Sequence, residues 1–111
     1  MTRKVGAGLT HDYRFYLDGA NLGEFSLFSP SDIVNVVELR GFEIYPAYRG
    51  KGYSYKMLAE VVSLAKVYNF PILSLKVKSD NAPAIKLYVN SGFVVRRVDT
   101  ERGEQVMELD V

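Results

Sequence analysis

Polar and apolar residues alternate from Asp12 to Leu17, with Tyr13, Phe15 and Leu17 on one side, and a second such run spans Leu22 to Phe28. Asp18-Gly19-Ala20-Asn21 between them has turn chemistry, so the pattern predicts a hairpin. Ser29-Pro30-Ser31-Asp32 predicts the next turn, and Ile33 to Tyr45, rich in Val, Ile and Phe, predicts a third strand interrupted at Arg40-Gly41. A glycine there fits either a β-bulge that splays two strands or a simple bend. From Gly52 the period lengthens, since Ser54, Leu58, Val61, Val62 and Ala65 recur at helical spacing until Asn69-Phe70-Pro71 ends the run. Alternation returns from Ile72 to Lys78. Asp80-Asn81 then starts a second helix that tolerates Pro83 in its first turn, and Ser91-Gly92 stops it. Phe93 to Asp99 and Gln105 to Val111 predict two last strands around a polar turn at Arg102-Gly103. The order is strand meander, helix, strand, helix, two strands. This is an α+β or mixed α/β fold, with a mostly antiparallel sheet of about six strands and one parallel pair bridged by the first of two main helices.

Composition narrows the function. At 111 residues, 48% hydrophobic and 24% charged, the chain suits one domain over residues 1–111, with residues 1–11 expected as a flexible leader that holds His11. A net charge of +1 gives no overall field for nucleic acid. The absence of cysteine excludes disulfides and thiolate metal sites, and a single histidine excludes a two-histidine site, so no metal is expected. No run is apolar and long enough for a signal peptide or a membrane span, and a cytoplasmic location is expected.

The stretch Tyr48-Arg49-Gly50-Lys51-Gly52-Tyr53-Ser54 lies between a strand and a helix. A glycine turn at a helix start leaves backbone N–H groups without carbonyl partners, and the helix dipole adds about half a positive charge. With Arg49 and Lys51 beside it, such a nest suits a phosphate or pyrophosphate. The stretch fits neither the P-loop nor the dinucleotide glycine spacing, and taken alone it also fits a plain glycine-rich connection with solvated cations.

The second helix, Asn81-Ala82-Pro83-Ala84-Ile85-Lys86-Leu87-Tyr88-Val89-Asn90-Ser91-Gly92-Phe93, changes that balance. Together the two stretches resemble the GNAT superfamily of acetyl-CoA-dependent N-acetyltransferases. The family's pyrophosphate loop, Arg/Gln-x-x-Gly-x-Gly/Ala, falls on Arg49, Gly52 and Ser54, with Ser54 in place of the usual glycine or alanine. Its later helix, Asn-x-x-Ala-x-x-x-Tyr ending in Gly-Phe, falls on Asn81, Ala84, Tyr88, Gly92 and Phe93. The resemblance implies that acetyl-CoA is the cosubstrate. Its pyrophosphate would rest on Arg49, Gly50, Lys51, Gly52, Tyr53 and Ser54, and its pantetheine arm would lie between the two parallel strands, near Phe42, Ile44 and Asn81.

The resemblance also implies proton donation to the departing thiolate by Tyr88. From the residues alone, Tyr88 better suits a core aromatic, and Asn81 suits a plain N-cap. Glu38, eleven residues before Arg49, resembles the base position of the histone-acetylating branch. Glu43 is its rival, and alternation puts the two on opposite faces unless a bulge intervenes. The two helices that most members carry between their first two strands have no counterpart at Asp18 to Asn21. An open acceptor side suits a protein, peptide or small-molecule amine, or completion by a second subunit. A homodimer is expected to cover Tyr13, Phe15, Phe25 and Phe28. The implied activity is N-acetyl transfer to a primary amine by direct attack. The alternative is a non-catalytic acyl-CoA-binding or protein-interaction module.

Overall fold

Seven strands form one sheet in the order β1-β2-β3-β4-β5-β7-β6. They are β1 (Thr2–Val5), β2 (Thr10–Leu17), β3 (Ala20–Phe28), β4 (Val36–Ile44), β5 (Ile72–Lys78), β6 (Val94–Asp99) and β7 (Glu104–Asp110). Helix α1 (Tyr53–Val67) joins β4 to β5, and α2 (Ala82–Asn90) joins β5 to β6. This is a computed structural model that describes residues 2–5, 10–29 and 35–111. The expected start of the third strand at Ile33 and the turn residues Pro30 to Asp32 lie outside the described residues. Among the described residues, no helix is long and apolar enough to cross a membrane.

The N-terminal expectation needs correction. The leader placed at residues 1–11 contains β1, which pairs with β2 from Thr2↔Phe15 to Val5↔Asp12, and His11 lies within β2. The sheet therefore has seven strands rather than six. In the sequence, residues 6–9 separate β1 from β2. The hairpin of β2 and β3 is as expected. Leu17 pairs with Ala20 across Asp18 and Gly19, both at positive φ, 51° and 83°, as a two-residue hairpin turn requires.

Every neighbouring pair is antiparallel except β4 and β5, which run parallel from Val36↔Ile72 to Leu39↔Leu75. The core lies on one face of the sheet, where Val37, Leu39, Leu73, Leu75 and Met107 meet Met57, Leu58, Val61 and Ala65 of α1 and Leu87 and Tyr88 of α2. Tyr13, Phe15 and Phe25 belong to this core at 4%, 2% and 1% exposure, with Tyr13 and Phe25 stacked at 5.1 Å. The need of a partner to cover them therefore disappears, because the meander curls its aromatic face against the end of α1, where the Tyr13 and Tyr68 hydroxyls meet at 3.2 Å. Of the four aromatics only Phe28 faces away from the core, and Arg40 lies 3.9 Å over its ring. The opposite face of the sheet, called the far face below, carries no helix among the described residues.

Candidate active site

The site begins where the parallel pairing stops. β4 pairs with β3 at Ser26↔Arg40 and again at Glu24↔Glu43, so three steps on β4 oppose two on β3. The extra residue is a β-bulge, and Gly41 adopts the φ of +60° that it needs with nothing within 4 Å of an added Cβ. Beyond Leu39 and Leu75 the two strands part, and a cavity of about 410 Å³ opens between them. Of the two readings of Arg40-Gly41, the splaying bulge is the observed one.

The bulge also changes which side chains share a face. Val37, Leu39 and, after the extra residue, Ile44 face the core, so Glu38, Arg40 and Glu43 all face the far side. Glu38 and Glu43 are therefore on the same face. Glu38 lines the gap, paired with Arg40 at 3.0 Å. Glu43 sits past the bulge, opposite Glu24, and its carboxylate pairs with Arg49 at 3.0 Å.

A second, larger cavity of about 670 Å³ runs from the gap to the start of α1. The two cavities share Phe42, Asn81, Ala84 and Tyr88, and so form one groove that passes through the sheet. Its outer wall is the glycine turn. Gly50 and Gly52 take φ of +79° and +80°, and space around both is open. Gly52 caps α1 without a side-chain bond, and no acidic residue stands in the first turn. The first amides of the helix thus face the groove with no carbonyl partner, an arrangement that attracts an anion. Gly50, Gly52, Tyr53 and Ser54 line this end, together with Tyr48, Tyr55 and Lys86, which the sequence pattern does not single out.

Arg49 does something else. Its Nε donates to the Ile44 carbonyl at 2.7 Å and its Nη2 reaches Glu43, so the guanidinium ties the turn to the end of β4. Lys51 is exposed beside the turn but does not line the groove.

Helix α2 supplies the inner wall. Asn81 caps it, its Oδ1 accepting from the Ala84 amide at 3.3 Å, and the same residue lines the groove. Its cap role and a ligand role are compatible. Tyr88 is 7% exposed and packs its ring against Phe42 at 6.2 Å and Phe93 at 5.6 Å. It is a core aromatic whose side chain also lines both parts of the groove, and its hydroxyl has no partner among the described residues. Burial pushes its pKa up to about 12, so the hydroxyl holds its proton at neutral pH and can only donate or accept a hydrogen bond there. Among the described residues, no group of three His, Cys, Asp or Glu side chains gathers to hold a metal ion.

The fold and groove define an acyltransferase scaffold, and comparison gives it a family. The family model described as the acetyltransferase (GNAT) family matches residues 8–93, and the chain belongs to that family. Solved structures share the fold at low identity. The IAA acetyltransferase from Bacillus cereus ATCC 14579 is 18% identical with a TM-score of 0.81, over 93% of this chain and 79% of that one. A GNAT family acetyltransferase from Elizabethkingia anophelis with acetyl-CoA bound is 16% identical with a TM-score of 0.80, over 93% and 77%. The PaiA N-acetyltransferase from Thermoplasma acidophilum in complex with coenzyme A is 22% identical with a TM-score of 0.78, over 92% of this chain and 61% of that one. No curated protein matches the sequence.

Proposed function

We propose that the chain is an N-acetyltransferase that moves the acetyl group of acetyl-CoA to a primary amine by direct attack. The observation that carries this reading is the groove that crosses the sheet at the parted strands, with an anion-attracting turn at one end and a carboxylate, Glu38, at the other. CoA enters from the core face, its pyrophosphate on the amides of Gly50 to Ser54 and its pantetheine arm between β4 and β5; proteins of similar fold have coenzyme A or acetyl-CoA bound. Asn81 and the open edge of β4 near Phe42 and Ile44 line its path. Arg49 acts by holding the turn, with Lys51 adding charge nearby. The amine enters from the far face.

The chemistry sets two proton problems. An amine of pKa about 10.4 is almost all ammonium at neutral pH, so it must lose a proton before its lone pair can attack the thioester carbon. Glu38 accepts that proton, directly or through water. As the C–N bond forms, backbone N–H groups at the bulge are placed to polarise the carbonyl oxygen. The C–S bond then breaks, the sulfur keeps the electron pair as a thiolate that accepts a hydrogen bond from the Tyr88 hydroxyl, and the nitrogen gives up its remaining extra proton to solvent to leave the neutral amide.

The Glu38–Arg40 pair favours a second reading as well. A carboxylate engaged by a guanidinium through both oxygens, at 3.0 and 3.5 Å, has fewer lone pairs free, which suits a domain that binds acyl-CoA without turnover. One experiment separates the two. Free-thiol release from acetyl-CoA is followed with a panel of amines and peptides, the acceptor is identified by mass spectrometry, and CoA affinity is measured for the wild type and Gly52→Val. Transfer with weakened CoA binding in the variant supports the enzyme. Binding without thiol release supports the module, and unchanged binding in a folded variant removes the pyrophosphate assignment.

A further inference from the structure

The far face beside the opening carries a charge pattern that the reaction itself does not use. Ser26 pairs with Arg40; Arg40 and Lys76, each one residue past the last parallel pair Leu39↔Leu75, lie on either side of the opening; Lys76 pairs with Val106, and Val106 with Arg97. Opposed residues share a face, so Arg40, Lys76 and Arg97 form one row across four strands. Arg40 is neutralised by Glu38. Lys76 and Arg97 are exposed, and neither makes an ion pair among the described residues. The only residue between them is Val106, which is apolar. The carboxylates of the next rows have other neighbours, since Glu108 pairs with Arg96 at 3.3 Å and Glu104 stands opposite Lys78. Lys78, also at the opening, donates to the Arg102 carbonyl at 3.4 Å.

We infer that the acceptor is an amine that also carries a carboxylate, a free amino acid or an acidic peptide, whose carboxylate is held by Lys76 and Arg97 while its amine faces Glu38. This rests on the acetyl-transfer reading above. Lys76 lines the opening itself, and adjacent strands are about 4.8 Å apart, so Arg97, two strands on, stands roughly 10 Å further along. A carboxylate a few bonds from the amine reaches Lys76, and a longer acid reaches Arg97. A polyamine finds the opposite situation, because its second ammonium would meet uncompensated like charge on this row, and placing like charges together opposes binding. The row is a specificity device and takes no part in bond making.

The test compares β-alanine with β-alaninamide and an aspartate dipeptide with its carboxamides, with spermidine as the cationic control, at fixed acetyl-CoA. Rates are corrected for the free-base fraction of each amine, because the amides have the lower amine pKa. The acids should exceed their amides in kcat/KM by about tenfold, the scale of one charge-assisted hydrogen bond at a half-exposed site. Lys76→Glu should remove or invert that preference, Lys76→Arg should keep it, and the Lys76 variants should melt with the wild type. If amides or spermidine are acetylated as well as the acids, the inference about the row is overturned while acetyl transfer stands. If no amine is acetylated although CoA binds, the transfer reading fails. Calorimetry with the CoA-loaded protein then tests the row alone. Binding selective for acids and lost in Lys76→Glu sustains it, and equal binding of acid and amide overturns it.

Discussion

From Val36 to Leu39, β4 runs in register with β5, and its alternate residues Val37 and Leu39 are buried against Leu73 and Leu75 under α1. From Arg40 to Ile44 the same strand carries an extra residue, leaves its partner and borders a groove lined by Glu38, Phe42 and Tyr88. The upper half is less apolar, with two apolar side chains in five residues against three in four, but composition alone does not separate the two strands. A single backbone position at positive φ does, because it ends the parallel ladder and leaves an unpaired strand edge where a ligand can take the place of the missing strand.

The largest effect expected from breaking this division is chemical. Glu38→Gln keeps the shape at the boundary of the two halves and removes the proposed proton acceptor, so kcat should fall by about 10²–10⁴ at neutral pH with CoA affinity unchanged. The loss should shrink as pH rises and the amine deprotonates unaided. Glu43→Gln, at a carboxylate paired with Arg49 at the surface, is the control and should cost much less. Equal, small losses in both point to water as the acceptor of the proton.

Next in size is the packing of the lower half. Leu75 is 2% exposed and faces the core, so Leu75→Ala should destabilise the protein by about 2–5 kcal/mol in a denaturant titration. Lys78→Ala, three residues on in the parted half and exposed, should stay within about 0.5 kcal/mol. Similar costs at both positions would mean that the two halves are not mechanically distinct.

Gly41→Val addresses the boundary itself. Nothing lies within 4 Å of an added Cβ, so the main cost is conformational, about 1–3 kcal/mol for a β-branched residue held at φ +60°. Relief of that strain requires the bulge to flatten, and CoA affinity measured on folded variant should drop with it. Retained affinity would show that the parting of the strands does not depend on the bulge.

Much of this architecture is legible in the sequence wherever local pattern and tertiary need coincide. Ile72–Lys78 alternates and is a strand, Gly52 starts a helical period, and Ser91-Gly92 stops α2, with Gly92 at φ +97°. What is not legible depends on partners distant in the chain. Thr2–Val5 has no apolar alternation, and it becomes a strand because β2 offers an edge to pair with. Arg49 reads as an anion ligand next to glycines; it lines the groove, yet its guanidinium is held by the Ile44 carbonyl and the Glu43 carboxylate. The burial of Tyr13, Phe15 and Phe25 needs the curl of the meander, which alternation does not encode. The row of Arg40, Lys76 and Arg97 exists only in the cross-strand register, since the three residues are far apart in sequence.

The smallest expected effect separates the two roles of Tyr88, which belongs to the core and to the groove at once. Tyr88→Phe keeps the ring between Phe42 and Phe93 and removes only the hydroxyl, so the fold should persist with little change near neutral pH. If the hydroxyl donates to the leaving sulfur, kcat should fall by tens of fold, below the loss at Glu38, because a thiol of pKa about 8.5 is a good leaving group already. Its own titration gives an independent readout. Burial raises the pKa from 10.0 in the unfolded chain to about 12 in the fold, so the unfolded state loses this proton first. The stabilising contribution is complete below pH 10 and is lost as pH rises towards 12, an alkaline fall of roughly 2–3 kcal/mol. Tyr88→Phe should lack that component, so its stability falls less steeply over this range than the wild type's. In kinetics the two proteins should share the same rising limb set by the amine, because the hydroxyl stays protonated throughout any ordinary assay. A variant with unchanged kcat and a flattened alkaline stability curve would leave Tyr88 a core residue alone, whereas a fall in kcat with the same flattening shows one side chain serving both halves of the molecule.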